Sequence, residues 1–306
     1  MQRVAYGGWN NCVQLKNKSA ELVVTADVGP RVIRFALAGG ANVFKEYSDM
    51  LGKTGGDEWR IFGGHRLWHA PEAQPRSYIP DNGPVKIEPL SGGKTGLRAT
   101  QPTEALTGIQ KEIDVELLGD AAAARVTHRL RNTSAWPITL APWALSVMAQ
   151  GGTAVIPLPP PGEHTANLTP VSMLGLWAYT DLSDPRWTIG RRAILLRQDA
   201  AAKTPQKIGA FVPDGWAAYI RDGVMFLKTF AVDECAAYGD FGCSVETYTN
   251  GDMLELESVG PMSTLPPGGT VEHVENWFLV ASVPTPKNDA DVADKVLPAV
   301  AKARGK

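Results

Sequence analysis

The chain has 306 residues, 44% hydrophobic and 20% charged, which are values of a folded chain with a large core and exclude a disordered one. Thirty Lys and Arg stand against 32 Asp and Glu, a formal net charge of -2 without a long basic run, so a polyanion-binding footprint is absent and no nucleic-acid partner is expected. Three cysteines, Cys12, Cys235 and Cys243, form neither a CxxC pair nor a dense framework and are expected as reduced thiols in small apolar sites.

The opening MQRVAYGGWNNCVQLKN lacks an apolar leader core, and no apolar run approaches the roughly 20 residues that cross a bilayer. The expectation is a soluble chain with no membrane partner, cytoplasmic as given, or periplasmic or secreted if a signal peptide has been removed. ELVVTADVGPRVIRFAL (21–37) then opens a series of short β-type runs punctuated by Gly, Pro, Asn and Asp. The series continues through ARVTHRLRN (124–132), WPITLAPWALSVMA (136–149), RRAILLRQD (191–199), GVMFLKTFAV (223–232), GCSVETYT (242–249) and DMLELESV (252–259). Even spacing without intervening helical patterns predicts a mainly β fold, an antiparallel sandwich. Two stretches, 46–84 and 157–190, read as long irregular segments rich in Gly, Pro, Trp and His, a kind of loop that is usually functional. NDADVADKVLPAVAKA (288–303) opens on an Asn/Asp cap and spaces Val292, Val296 and Val300 at helical intervals, which predicts a short C-terminal helix on the sandwich. No repeat or linker divides the chain, so one domain is expected over 1–306, with the sandwich in 1–285 and the helix and tail in 286–306.

The first candidate site residues lie in DEWRIFGGHRLWHAPE (57–72), which gathers Trp59, Arg60, His65, Arg66, Trp68, His69 and Glu72 around a Gly-Gly turn. Flat rings and forked Arg donors suit the C–H face and hydroxyls of a sugar, while tryptophan packing with rim-exposed His and Arg is the structural alternative. His65, His69 and Glu72 could instead ligate a metal, but their spacing suits a helix and Gly and Pro oppose one here, so no metal is expected. Further along, His128 alternates with Val126 and Leu130 and is expected in the core, His164 on a loop, and His273 as structural or exposed. A second polar and aromatic cluster, GLWAYTDLSDPRWTIG (175–190), includes Trp177, Tyr179, Asp181, Asp184, Arg186 and Trp187, or is an Asp-Pro turn braced by Arg. Lys228 shares a strand face with Phe226 and Phe230, so it either snorkels to a rim or is paired in a cleft. In DMLELESV the strand period puts Leu254 and Leu256 on one face and Glu255 and Glu257 on the other. Such a pair of carboxylates raises one pKa where water is scarce, which suits acid/base work, or else lies on a solvated outer face. GxSxG, P-loop, GxGxxG and zinc-finger spacings are absent, and no cofactor is expected.

ELVVTADVGPRVIRFALAGGANVF (21–44) resembles the entry strands of aldose 1-epimerases, and ETYTNGDMLELESVGPMSTLPPGGTVEHVENWFLV (246–280) resembles their last strands. GGHRLWHAPE is similar to a signature of a bacterial branch of galactose mutarotase-like proteins. The resemblance spans residues 1 to about 282 and implies a β-supersandwich, an aldose in an open cleft, a Glu base for the anomeric hydroxyl and a His that protonates the ring oxygen. Glu257 falls where that base stands. His65 and Arg66 match the early sugar-binding His and Arg by order along the chain. The strand that carries the acid His in the family reads ITLAPWALSVM (138–148) here, with Trp143 near that place. The resemblance therefore implies an anomer-interconverting protein with Glu257 as base and His65 as acid. Arg66, Trp68, His69, Glu72, Glu255, Lys228, Trp143 and Trp177 would hold the sugar. A carbohydrate-binding protein without catalysis and an enzyme acting on a glycoside are the alternatives.

Overall fold

Strand alternation organises two antiparallel sheets, seen in a computed structural model that describes residues 1–305. The first sheet runs in order through β1 (Gln2–Tyr6), β2 (Trp9–Lys16), β3 (Ala20–Thr25), β4 (Arg31–Leu37), β5 (Gly64–Ala70), β10 (Ile138–Met148), β19 (Leu254–Val259), β18 (Val245–Thr249), β15 (Gln206–Ala210) and β12 (Leu174–Leu176), with β20 (Ser263–Leu265) paired to β10. The second runs through β13 (Trp187–Ile189), β14 (Ala193–Arg197), β11 (Thr153–Pro157), β16 (Trp216–Arg221), β17 (Val224–Phe230), β21 (Thr270–Ala281), β9 (Ala123–Asn132), β8 (Ile109–Leu117), β7 (Gly96–Thr100) and β6 (Lys86–Pro89).

The sheets pack through one face each, and the main core lies between them: Leu22 and Phe35 from the first sheet meet Phe226 and Trp277 from the second. Burial of such side chains contributes about 1.5–3 kcal/mol apiece, the largest favourable contribution to this fold. The outer face of the second sheet is covered in part by the C-terminal helix, which runs through Asp289–Asp291, a π-helical stretch Val292–Val296 and Leu297–Ala303. Asn288 caps it by accepting the amide hydrogen of Asp291, and Val292, Val296 and Val300 are buried against Leu195, Trp216 and Leu227. The sandwich and helix implied by the sequence pattern are thus the observed architecture.

One expectation is corrected. The stretch 46–84 is not irregular throughout: Gly64–Ala70 is β5, a fully buried strand in the middle of the first sheet, between β4 and β10. Gly63 and Gly64 adopt φ of +97° and +72° at its start, where a Cβ would stand 2.0 Å from the carbonyl oxygen of Lys45 and 2.5 Å from that of Val32. The two glycines thus serve the close approach of neighbouring backbone that brings β5 into the sheet.

Candidate functional site

Because paired residues in an antiparallel sheet share a face, the register of β5, β10, β19, β18 and β15 lays out the outer face of the first sheet as rows. One row crosses Arg66, Leu145, Glu257 and Glu246, and a neighbouring row crosses Val147, Glu255, Tyr248 and Lys207; Trp68 and Trp143 form a third. The intervening residues Leu67, Leu254, Leu256, Val245 and Ile208 point the other way into the core. Glu255 and Glu257 therefore stand on the same face as Arg66 and Trp68, as a period of two requires.

These rows floor a cavity of about 280 Å³. Its walls are Trp59, Trp68, Trp143, Tyr78, Tyr179 and Tyr248, and its polar groups come from Arg66, Glu72, Lys207 and Glu255. Trp68 packs edge-on against both Trp59 and Trp143, with centroids 5.6 and 5.4 Å apart. The Arg66 guanidinium lies over Trp68 at 4.6 Å and over Trp59 at 5.6 Å, and its Nη2 donates to Glu255 Oε1 at 2.8 Å. Its Nε and Nη1 are buried with no hydrogen-bond partner among the described residues. Lys207 Nζ lies over Trp177 at 4.5 Å and Trp143 at 4.9 Å. Glu72 sits at the rim, where it accepts from the Tyr78 hydroxyl.

Glu257 and Glu246 belong to these rows and are buried. Glu257 Oε2 accepts from Trp143 Nε1 at 2.6 Å, while its Oε1 has no partner. Lys207 Nζ bridges the two acids, 2.7 Å from Glu246 Oε2 and 3.8 Å from Glu257 Oε2. Burial pushes the Glu257 carboxyl up to about 7 against the opposing pull of Lys207. Burial likewise pushes Glu246 up to about 8, with Lys207 again opposing and Glu257 adding to the rise. For Lys207 the balance reverses: burial works against its charge, but Glu257 and Glu246 outweigh it and hold the ammonium well above its ordinary value. Near neutrality this triad stores an exchangeable proton beside a fixed cation, a composition suited to proton transfer.

Five sequence expectations are corrected. His65 does not meet Glu257: odd-numbered residues of β5 face the inter-sheet core, so His65 and Arg66 lie on opposite sides of the sheet. Its Nε2 is 2.7 Å from His128 Nε2, and its Nδ1 is 2.9 Å from Ser146 Oγ. Lys228 is likewise interior, paired with Glu275 at 2.8 Å and donating to the carbonyl oxygen of Ala144 at 3.3 Å, both ionic side chains being fully buried. His69 faces inward too, 3.7 Å from Glu104, which Lys111 pairs at 2.6 Å. Trp177 covers Lys207 instead of lining the cavity. Of the cysteines, Cys12 and Cys243 are buried and free, whereas Cys235 is exposed, contrary to its expected apolar site.

Among the described residues, His65, His128 and Glu275 are the set that could hold a metal ion, with one ligand atom from each within 4.8 Å of the others. Their lone pairs and protons are already used. His128 Nδ1 faces the carbonyl oxygen of His273 at 3.0 Å and so carries its proton, which leaves Nε2 to accept from His65 Nε2 and His65 Nδ1 to accept from Ser146. Glu275 accepts from Ser258 Oγ at 2.6 Å and Trp277 Nε1 at 2.7 Å, and Ser258 also meets His273 Nε2 at 2.7 Å. Burial holds all three histidines below their ordinary value, His273 at about 3. This is a closed polar network around a Lys–Glu pair.

The sequence reading missed Lys207, Glu246, Tyr78 and Tyr248. A signal existed in VETYT, where Glu246 and Tyr248 alternate with the inward Val245 and Thr247, and in QKIGA, where Lys207 precedes the inward Ile208.

No protein-family model matches the chain, and no curated protein matches it. Solved structures share its fold. A TPR-domain containing protein from Parabacteroides distasonis matches with a TM-score of 0.61 and 14% identity over 90% of this chain, which spans only 48% of that structure's chain. A galactose mutarotase-like protein from Lactobacillus casei matches with a TM-score of 0.55 and 8% identity, covering 88% of this chain and 100% of the other. A galactose mutarotase related enzyme from Lactobacillus acidophilus matches with a TM-score of 0.52 and 8% identity over 90% and 99%. The chain has the galactose mutarotase-like fold. No helix among the described residues is long and apolar enough to cross a membrane.

Proposed function

We propose that the cleft on the outer face of the first sheet binds a single sugar ring or a sugar derivative. The observation that carries this reading is Arg66, whose guanidinium is fixed between Trp59 and Trp68 on the cavity wall while two of its nitrogens have no partner. A buried donor without an acceptor costs about 1–3 kcal/mol, and a ligand oxygen relieves that cost. The aromatic walls offer the apolar faces on which a sugar's C–H surface packs, and Glu255 and Lys207 offer an acceptor and a donor for hydroxyls. Arg66 is balanced by Glu255 and Lys207 by the acids behind it, so the pocket suits a neutral ligand. The test is titration of the purified protein with free aldoses, followed by the fluorescence of the cleft tryptophans. Saturable quenching by at least one aldose, lost in Arg66→Ala, supports the reading; silence across the series overturns it.

A second reading, interconversion of anomers, is favoured by the raised carboxyls of Glu257 and Glu246 on either side of Lys207. In it Glu257 accepts the anomeric hydroxyl proton, the bond from the anomeric carbon to the ring oxygen opens, and the Lys207–Glu246 pair returns a proton to that oxygen. Lys207 takes the place assigned to His65, because it is a cation on the cavity wall 3.8 Å from Glu257, whereas His65 is across the sheet. Polarimetry of freshly dissolved anomers tests it: acceleration that disappears in Glu257→Gln supports turnover, and an unchanged spontaneous rate leaves binding alone.

A further inference from the structure

The outer face of the first sheet carries a second, larger cavity. Along β12 and β15 the register pairs Gly175 with Gly209, so Met173, Gly175 and Trp177 on one strand share the outer face with Phe211, Gly209 and Lys207 on the other. The amide of Phe211 donates to the carbonyl oxygen of Met173 at 3.2 Å, which extends that pairing beyond the strand ends. Lys207 is on the wall of the sugar cleft, whereas Met173 and Phe211 are on the wall of a cavity of about 750 Å³. Four residues of strand separate Lys207 from Phe211, roughly 13 Å. Between them lie Gly175 and Gly209, on which Cys243 and Trp177 pack so closely that a Cβ at Gly209 would stand 2.3 Å from Cys243 Sγ and 3.3 Å from Trp177; a ligand joining the two cavities passes over this ridge.

The larger cavity presents aromatic surface. Phe211 and Tyr238 pack edge-on with centroids 5.7 Å apart. Phe241 on its wall is 91% exposed, the most exposed large hydrophobic side chain among the described residues. Asp240 and Phe241 both adopt left-handed backbone, at φ of +49° and +61°. Two consecutive non-glycine residues there cost about 1–3 kcal/mol each, a strain that clusters at ligand-binding segments. Polar groups are sparse and lack cations: Glu234 is on the wall, and the Tyr238 hydroxyl accepts from the amide of Asp233 and keeps its own proton for donation.

We propose that this cavity is an accessory subsite for an oligosaccharide whose terminal ring occupies the cleft, with a distal ring stacked on Phe241. The inference rests on the cleft reading and makes the ligand a short neutral glycan instead of a free monosaccharide. An aromatic platform without a cation, in line with the cleft and on the same strands and the same face, fits linked sugar rings; it offers nothing for an anionic ligand.

The experiment is isothermal titration of the full chain with gluco-, galacto-, manno- and xylo-oligosaccharides of increasing length, compared between wild type and Phe241→Ala. For the series whose single ring binds, affinity is expected to rise with length by about two- to tenfold, the range of one aromatic contact. The ratio of long-chain to single-ring affinity is expected to fall to near one in Phe241→Ala. A length-independent wild-type affinity overturns the subsite and leaves the cleft standing, as does a length gain that survives in Phe241→Ala. Binding of no saccharide at any length overturns both readings. Self-association of the wild type that Phe241→Ala abolishes, seen by sedimentation, would assign Phe241 to contact between copies and also overturn the subsite.

Discussion

Replacing Lys228 by Met separates an interior structural role from a sugar-binding one. Lys228 and Glu275 are 2.8 Å apart and wholly buried, so Lys228→Met leaves a carboxylate in the core without its cation. Removing one partner of a buried pair costs about 3–5 kcal/mol. Glu275 keeps donors from Ser258 and Trp277, which favours the lower half of that range, while the carbonyl oxygen of Ala144 loses its hydrogen bond to Lys228 at about 1 kcal/mol more. The expected loss is about 4 kcal/mol, a large part of the roughly 5–15 kcal/mol that holds a domain together. The pH dependence has a definite sign. In the wild type burial is the largest single effect on Glu275 and would raise it, but Lys228 together with His65, His128 and His273 holds it well below its ordinary value, so its contribution is present above the unfolded pKa and is lost as pH falls through the folded one. Without Lys228, burial raises that carboxyl, and its protonated form is tolerated as pH falls. The deficit of the variant is therefore larger at pH 8 than at pH 5, and Lys228→Met/Glu275→Gln recovers about half of it. Urea unfolding at the two pH values measures all three proteins. A single variant that keeps wild-type stability but loses sugar affinity would refute the reasoning.

Arg66→Lys keeps the charge beside Glu255 but removes the planar fork over Trp68, and titration should find sugar affinity reduced about tenfold. Glu257→Gln should abolish any acceleration of anomer exchange while affinity stays within about tenfold, because proton transfer is lost and the aromatic walls remain; polarimetry and titration together read this out. Between about pH 7.5 and 9 the buried His65, His69, His128 and His273, held below their ordinary value, are neutral in the folded chain and nearly so in the unfolded one. There the raised carboxyls of Glu257 and Glu246 govern: their stabilising contribution is complete below about pH 4.5 and is lost as pH rises through 7 to 8. Urea midpoints of the wild type should fall over that interval, and Glu246→Gln should flatten the decline. Asn288→Ala should cost about 1 kcal/mol by uncapping the C-terminal helix, seen as a lower thermal midpoint.

The fold was legible because alternation and turn residues recur along the chain. In LELESV, Leu254 and Leu256 face the core and Glu255 and Glu257 face outward without any contribution from distant residues. The same rule applied to GHRLWHA would have separated His65 and His69 from Arg66 and Trp68. Its seven buried residues hide the strand, because charged and aromatic side chains stand where a core strand ordinarily carries Val and Ile. Lys228 was read from its own strand, which carries Phe226 and Phe230 but not the partner. Glu275 comes from the adjacent β21, a pairing set by tertiary register. Lys207 and Glu246 are separated by 39 positions and meet only because β15 and β18 are neighbours.

The most direct test of the sugar-binding cleft uses the indole N–H signals in a nitrogen-edited NMR spectrum during titration with an aldose. Trp143 donates to Glu257 beside the cavity, and Trp59 and Trp68 line it, whereas Trp277 donates to Glu275 inside the sandwich and Trp9 donates to the carbonyl oxygen of Lys53. Saturable shifts of the signals of Trp59, Trp68 and Trp143, with those of Trp277 and Trp9 unmoved, are the predicted result. Shifts confined to Trp277 or Trp9, or no shift with any aldose, would contradict the account.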